Sequence, residues 1–224
     1  MKKFINLLFI AFLGTIVITS CNKTDDYDYD AEVEKAKQAE LKIDSLLTDQ
    51  VTKIREYKNS NLPDALEDTV VFMYNYIDKK PKRGIWYKLD TQNSENTFEY
   101  TGQYRSDAYG RQYFAVNLPK VRLKYAVKSL EGVVYKTDDG SNYDLNTISN
   151  TIFNNAWYFS FVPYSIQYNG QPHYSRGLTA NGLKKGNKIT VVTPSIWAFG
   201  SNKVGEIPAD TPLVYEFEVL DISY

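Results

Sequence analysis

The sequence has one cysteine and one histidine in 224 residues. With Cys21 alone, no intramolecular disulfide can form, so even in an oxidising compartment the fold must rest on its apolar core. Structural zinc sites draw on clustered Cys and His ligands. His173, in Gln171-Pro172-His173-Tyr174, has no carboxylate or cysteine partners at ligand spacing. It reads as a surface or loop residue, and no metal site is expected. A phosphate-cradling glycine loop is also missing, so the sequence gives no support to nucleotide chemistry or to any cofactor. Charge of one sign is scarce as well. The 26 Lys plus Arg against 27 Asp plus Glu leave a formal net charge of -1, and no net field favours nucleic acid. The apolar run Phe4 to Ile18 is about 15 residues, short of the roughly 20 that a membrane-spanning helix needs.

That run follows Lys2 and Lys3 and leads into Ile18-Thr19-Ser20-Cys21, the layout of a secretory signal over residues 1–20. The four residues resemble a bacterial lipobox, which implies that Cys21 becomes the mature N-terminus and carries the lipid. Behind it, residues 21–30 are polar and acidic, with Asp25, Asp26, Asp28 and Asp30. Such a composition has little to bury and predicts a disordered tether. The acidic stretch also resembles the surface-export signal of Bacteroidetes lipoproteins. The implied location is the cell envelope, with the chain lipid-anchored to the outer membrane on its periplasmic or surface leaflet.

About 200 residues remain, enough for one domain with a good core and an appendage. Residues 31–62 hold the appendage. Ala31 to Tyr57 contains no Pro or Gly, and Ala36, Ile43, Leu47, Val51, Ile54 and Tyr57 recur at helical spacing, so an amphipathic helix is predicted. Its stripe either packs on the following domain or pairs with a second copy to form a homodimer. Pro63 ends it.

The unit 63–224 is rich in β-branched residues and in tyrosine, 19 in the chain, which favours strands. Thr69–Ile77 and Ile85–Leu89 read as strands, joined by the basic turn Asp78 to Gly84. Val121–Val127 and Leu213–Ile222 alternate with period two, as half-buried strands do; Trp157–Val162 and Lys188–Val192 read as strands too. Residues 90–119 form a polar, Tyr-rich insertion, either a hairpin or an irregular excursion. One short helix is expected from Leu178 to Lys185, closed by Gly186. The predicted class is α+β.

The order of features from Gly177 onward is more specific. Gly177-Leu178 and Gly182-Leu183-Lys184-Lys185-Gly186 lead into Lys188–Thr193, then Trp197-Ala198-Phe199-Gly200, Gly205-Glu206-Ile207-Pro208 and the closing strand from Leu213. Upstream, Tyr125 lies seven residues before Gly132, with Tyr135 three further on. This series resembles FKBP-type peptidyl-prolyl isomerases. The resemblance implies an FKBP-like fold, a curved antiparallel sheet packed on one short helix, and an envelope-anchored folding helper acting on X-Pro bonds of exported polypeptides. It makes Tyr125, Tyr135, Phe199, Ile207 and Tyr215 the walls of an apolar pocket, with Leu178 as its floor. Phe159 or Phe161 would be a further member, and the backbone N–H of Ser175 would hold a substrate carbonyl. Lys136 stands where the family has an aspartate, and Leu178 where it often has tryptophan. The alternative is therefore a catalytically degenerate FKBP-like module that presents an aromatic groove to a peptide, glycan or partner protein.

Overall fold

In the computed structural model, residues 28–95 and 97–224 are described; the signal segment, Cys21 and the tether up to Tyr27 lie outside them. The predicted helix is present as α1, Tyr29–Asn61, so Tyr29 and Asp30 belong to its first turn rather than to the tether. The Asp28 side chain accepts the Ala31 N–H and caps the start. At the other end the Leu62 N–H bonds the Lys58 carbonyl before Pro63.

After α1 come β1 (Leu66–Glu67), β2 (Trp86–Asp90), β3 (Gly102–Ser106), β4 (Gln112–Val116), β5 (Lys120–Ser129) and β6 (Val134–Asp144). Helix α2 (Asn155–Phe161), β7 (Ser165–Tyr168), β8 (Gln171–Tyr174), β9 (Lys188–Thr193), a 3-10 turn (Ser195–Trp197) and β10 (Leu213–Ser223) complete the chain. Six strands form one sheet in the order β1-β2-β9-β10-β5-β6, every pair antiparallel. The hairpins β3–β4 and β7–β8 stand apart from it. The insertion is thus a hairpin, and the class is α+β as expected.

Alternation along β9 and β10 sends residues to opposite faces of the sheet. Val191, Leu213, Tyr215 and Phe217 join the main core, with Tyr125, Val127, Ala156, Trp157 and Phe161. Val192 and Val214 meet Ile54 of α1 on the other face, flanked by Tyr57, Trp86 and Leu130. The sheet is therefore sandwiched between α2 and the C-terminal half of α1. Buried Gln50 fixes that docking: its amide donates to the Ser195 hydroxyl (3.0 Å) and the Asp210 carbonyl (2.7 Å) and accepts the Ser195 N–H (2.7 Å). Gly84, at φ +71°, lets the helix close in, since a Cβ there would lie 2.3 Å from Val51 Cγ2. Leu41 and Ile43, nearer the N-terminus of α1, stay exposed.

Three local expectations are corrected. Trp157–Val162 is not a strand, because Asn154 caps a helix there, its side chain accepting the N–H groups of Ala156 and Trp157 (3.1 and 3.3 Å). The local cap and burial of α2 against the sheet override the β preference of its aromatic residues. Leu178–Lys185 is not a helix. Gly182 adopts φ +69°, and the N–H groups of Leu178 and Leu183 donate to Phe159 and Phe161 carbonyls (2.8 and 2.9 Å). The segment satisfies its donors on the end of α2 instead of on itself. Thr69–Ile77 carries only an isolated bridge, Val71 to Lys82. Its far end is held by α1, where the Glu40 carboxylate accepts the N–H groups of Asn75, Tyr76 and Ile77 at 2.8, 2.7 and 3.0 Å.

Candidate functional site

The residues expected to wall a pocket either belong to the main core or pack against it. Tyr125, Phe161, Leu178, Ile207 and Tyr215 are buried members of the main core, and Tyr135, Phe159 and Phe199 are half-buried and packed against it. Register explains part of this. On β10, Phe217 pairs with Tyr125 and Tyr215 with Val127, so these side chains share the face that meets α2. Tyr135 reaches the same region through a β-bulge. Val127 pairs with Lys136 and Lys128 with Val134, leaving Tyr135 as the extra residue, and a bulge re-aims the side chain at that position.

Beneath this rim the interior is filled. Trp157 is fully buried, with its ring 5.0 Å from Tyr125, 4.8 Å from Phe217 and 5.9 Å from Phe161 between centroids. Tyr215 is equally enclosed, stacks on Phe217 at 5.7 Å and accepts a hydrogen bond from the Asn154 amide at 2.9 Å. Burial raises the pKa of both the Tyr125 and Tyr215 phenols, so both are neutral around pH 7. Leu178 remains under the rim even though its segment is not helical.

Sequence reasoning missed several groups here. Phe159 is faced by a buried guanidinium, with Arg83 Cζ 3.9 Å from the ring centroid. Arg83, read as part of a basic turn, is 2% exposed. Its Nε donates to the buried Asp68 carboxylate, its Nη2 donates to the Arg176 carbonyl at 2.9 Å, and its own carbonyl accepts the Trp197 indole N–H at 2.8 Å. One side chain thus ties the segment before β2, the turn after β8 and the aromatic rim together. Nothing in the sequence distinguishes Arg83 from Lys82 or Lys80.

The second missed group is Asp138. Lys136 is exposed, whereas Asp138 stands opposite Tyr125 in the sheet. Asp138 accepts the Tyr143 hydroxyl at 2.9 Å and the N–H groups of Gly140 and Ser141 at 3.0 and 2.7 Å. The Tyr125 hydroxyl is enclosed without a bonded partner among the described residues; nearby Tyr143 weighs on its titration but gives its own proton to Asp138. Partial burial pushes the Asp138 carboxyl up, but the donors from Ser141, Tyr143 and Gly140 outweigh it and hold it at about 2, below its ordinary 3.8. A depressed carboxyl stabilises the fold above its unfolded value, and that stability is lost as pH falls toward the folded one. Asp138→Asn is therefore expected to flatten the loss of thermal stability between pH 4 and pH 2. Melting curves across that window check it, and an unchanged acid slope would contradict it.

At Ser175 the N–H groups of Arg176 and Gly177 are committed to Tyr164 and Pro163 carbonyls (2.8 and 3.2 Å). The Ser175 hydroxyl bonds the Pro163 carbonyl at 2.6 Å, and its own N–H has no bonded partner among the described residues. His173 stacks on Phe114 with centroids 4.0 Å apart, beside Tyr104 and Tyr168. It joins the two outlying hairpins. Among the described residues no group of three or more His, Cys, Asp or Glu is placed to hold a metal ion, and no helix is long and apolar enough to cross a membrane.

No protein-family model matches the chain. A stretch of 41 residues is 45% identical to the FKBP-type peptidyl-prolyl cis-trans isomerase FkpA of Buchnera aphidicola subsp. Schizaphis graminum, spanning 18% of this chain and 16% of that protein. Among solved structures, a peptidyl-prolyl cis-trans isomerase from Pseudomonas syringae pv. tomato is similar at a TM-score of 0.44 and 17% identity, over 81% of this chain and 96% of that one. FkpA from Escherichia coli is similar at 0.41 and 18%, over 87% of this chain and 68% of that one.

Proposed function

We propose that this chain is an FKBP-type folding helper of the cell envelope that binds X-Pro segments of exported polypeptides at its aromatic rim and catalyses their cis-trans isomerisation. The observation that supports the reading is that Tyr125, Leu178, Ile207 and Tyr215 are buried in one core cluster, with half-buried Tyr135, Phe159 and Phe199 packed against it. Amide resonance sets a barrier of about 18–20 kcal/mol to rotation about the X-Pro bond. Lowering it needs no nucleophile or metal. An apolar surface around the prolyl amide disfavours its charge-separated planar form relative to the twisted one, and a donor such as the Ser175 N–H holds a neighbouring carbonyl. The lipid on Cys21 would keep this surface where exported chains emerge, and the exposed N-terminal half of α1 offers a face to a second copy.

Trp157 favours a second reading. It fills the space below the rim, and Lys136 replaces the family's acidic residue, so the groove would bind proline-containing segments without turning them over. A proline-limited refolding assay separates the two. Catalysis is expected to accelerate the slow phase, which takes tens of seconds or more unaided, and Phe199→Ala or Tyr135→Ala is expected to reduce that acceleration at least tenfold. Binding of a proline peptide with no acceleration would establish the second reading instead.

A further inference from the structure

The open edge of the sheet carries a feature that the aromatic rim does not use. The Asp68 N–H bonds the Ile85 carbonyl at 2.9 Å, and β1 continues this pairing with Leu66 opposite Tyr87 and Glu67 opposite Trp86. In an antiparallel ladder, peptide groups point alternately to one neighbour and the other. Ile85, Tyr87 and Leu89 therefore face β1, while Trp86, Lys88 and Asp90 face β9. β1, however, has only two residues. Before it the chain turns away, with the Ala65 N–H closing onto the Leu62 carbonyl at 2.9 Å. Leu89 is left with its N–H and C=O aimed at an edge that no described strand covers, although on its other side β2 stays paired with β9 through Asp90.

A cleft of about 490 Å³ lies along this uncovered edge, lined by Leu66, Tyr87, Leu89, Thr91, Thr179 and Ala180 among others. Its size is within the usual range for ligand sites, roughly 300–1,000 Å³. Leu66 is 60% exposed at its mouth, a large apolar side chain on an edge strand, where proteins ordinarily place charge. Thr179 in the wall is 7% exposed, and its hydroxyl has no partner among the described residues.

We infer that this cleft takes an extended polypeptide segment, which adds to β2 as a strand by pairing with the Leu89 peptide group and lays an apolar side chain between Leu66, Tyr87 and Ala180. The occupant is chosen by chemistry. A free N–H and C=O side by side on an edge match the backbone of a strand, and the apolar walls match its side chains. The Lys88–Asp64 ion pair (3.4 Å) at the rim offers both charge signs and no preference for an anion or a cation. The site is separate from Tyr135 and Phe199. It deepens the proposed function by giving unfolded chains a holding surface, yet stands without isomerase activity.

The test uses the purified protein and a permanently unfolded polypeptide, reduced and carboxymethylated α-lactalbumin, as probe. Leu89→Pro removes the edge-facing N–H and keeps the ladder to β9, because proline is tolerated where its nitrogen faces outward on an edge strand. Ala180→Trp fills the cleft without touching the backbone of β2. Both variants are expected to weaken probe binding tenfold or more. In the wild type, bound probe is expected to slow hydrogen exchange of the Leu89 amide at least tenfold. Isomerisation of a short X-Pro peptide should be unchanged in both variants, and a wild type that binds the probe without isomerising the peptide would sink only the proposed catalysis. Wild-type affinity in Ala180→Trp, an unprotected Leu89 amide in the bound state, or no probe binding at all would overturn the inference. Should Leu89→Pro fail to fold, Ala180→Trp and the exchange measurement decide it.

Discussion

Arg83→Ala is expected to destabilise the fold by about 3–5 kcal/mol, the usual cost of removing one partner of a buried ion pair. The side chains of Arg83 and Asp68 are 3% and 5% exposed, so the substitution strands the Asp68 carboxylate in a low-dielectric interior. Asp68 Oδ1 keeps only the Val70 N–H, at 3.1 Å. The Arg176 carbonyl also loses its donor and Phe159 the cation over its ring. Lysine would not rescue it, since a point-charge ammonium cannot lie flat on Phe159 and bond two acceptors in fork geometry. The double variant Arg83→Met, Asp68→Leu should lose clearly less than the two single losses summed, because no charge is left unpaired. Chemical denaturation of the wild type, Arg83→Ala, the single variants Arg83→Met and Asp68→Leu, and the double variant checks this. A single-variant loss below about 1 kcal/mol, the scale of a surface pair, would contradict the burial described.

Trp157→Ala is expected to cost about 3–5 kcal/mol, as large-to-small changes of a buried aromatic do. Its ring contacts those of Tyr125, Tyr143, Phe153, Phe161 and Phe217, so the cavity would open under β5 and β10 together. The indole N–H has no partner among the described residues, which predicts an asymmetry. Trp157→Phe removes that orphan donor along with part of the ring, and should cost far less than Trp157→Ala. Equal losses for the two variants would mean that the indole N–H is satisfied and the packing is looser than described.

Much of this architecture was legible because strands that bury one face must alternate. Val121–Val127 and Leu213–Ile222 announce β5 and β10 in this way, and α1 is marked by its long Pro- and Gly-free stretch and its apolar stripe. The errors came where tertiary contacts outweighed local preference. Trp157–Val162 has the composition of a strand, but Asn154 and Pro163 bracket it as one short helix. Leu178–Lys185 has some helix formers, but its donors are taken by α2. Thr69–Ile77 fails to become a regular strand because its end is bound to Glu40 in α1, a contact across more than thirty positions that no local pattern records. The candidate site divides along the same line. The aromatic positions were inferred from the order of motifs, whereas Arg83 and Asp138 owe their places to burial and to a register shift that no local pattern records.

The bulge at Tyr135 links these two groups of residues. It turns Tyr135 toward the core and, three residues on, brings the Asp138 carboxylate opposite Tyr125 even though position 136 is lysine. Acidic character is thus kept at that end of the sheet by geometry rather than by sequence position.

The central claim is that the half-buried aromatic rim acts on prolyl bonds. The most direct measurement is the rate of cis-trans isomerisation of a short X-Pro peptide with the purified protein, side by side with Phe199→Ala of matched folded content. The account predicts a rate above the uncatalysed one that falls at least tenfold in the variant. A wild-type rate no faster than that of the peptide alone would contradict it.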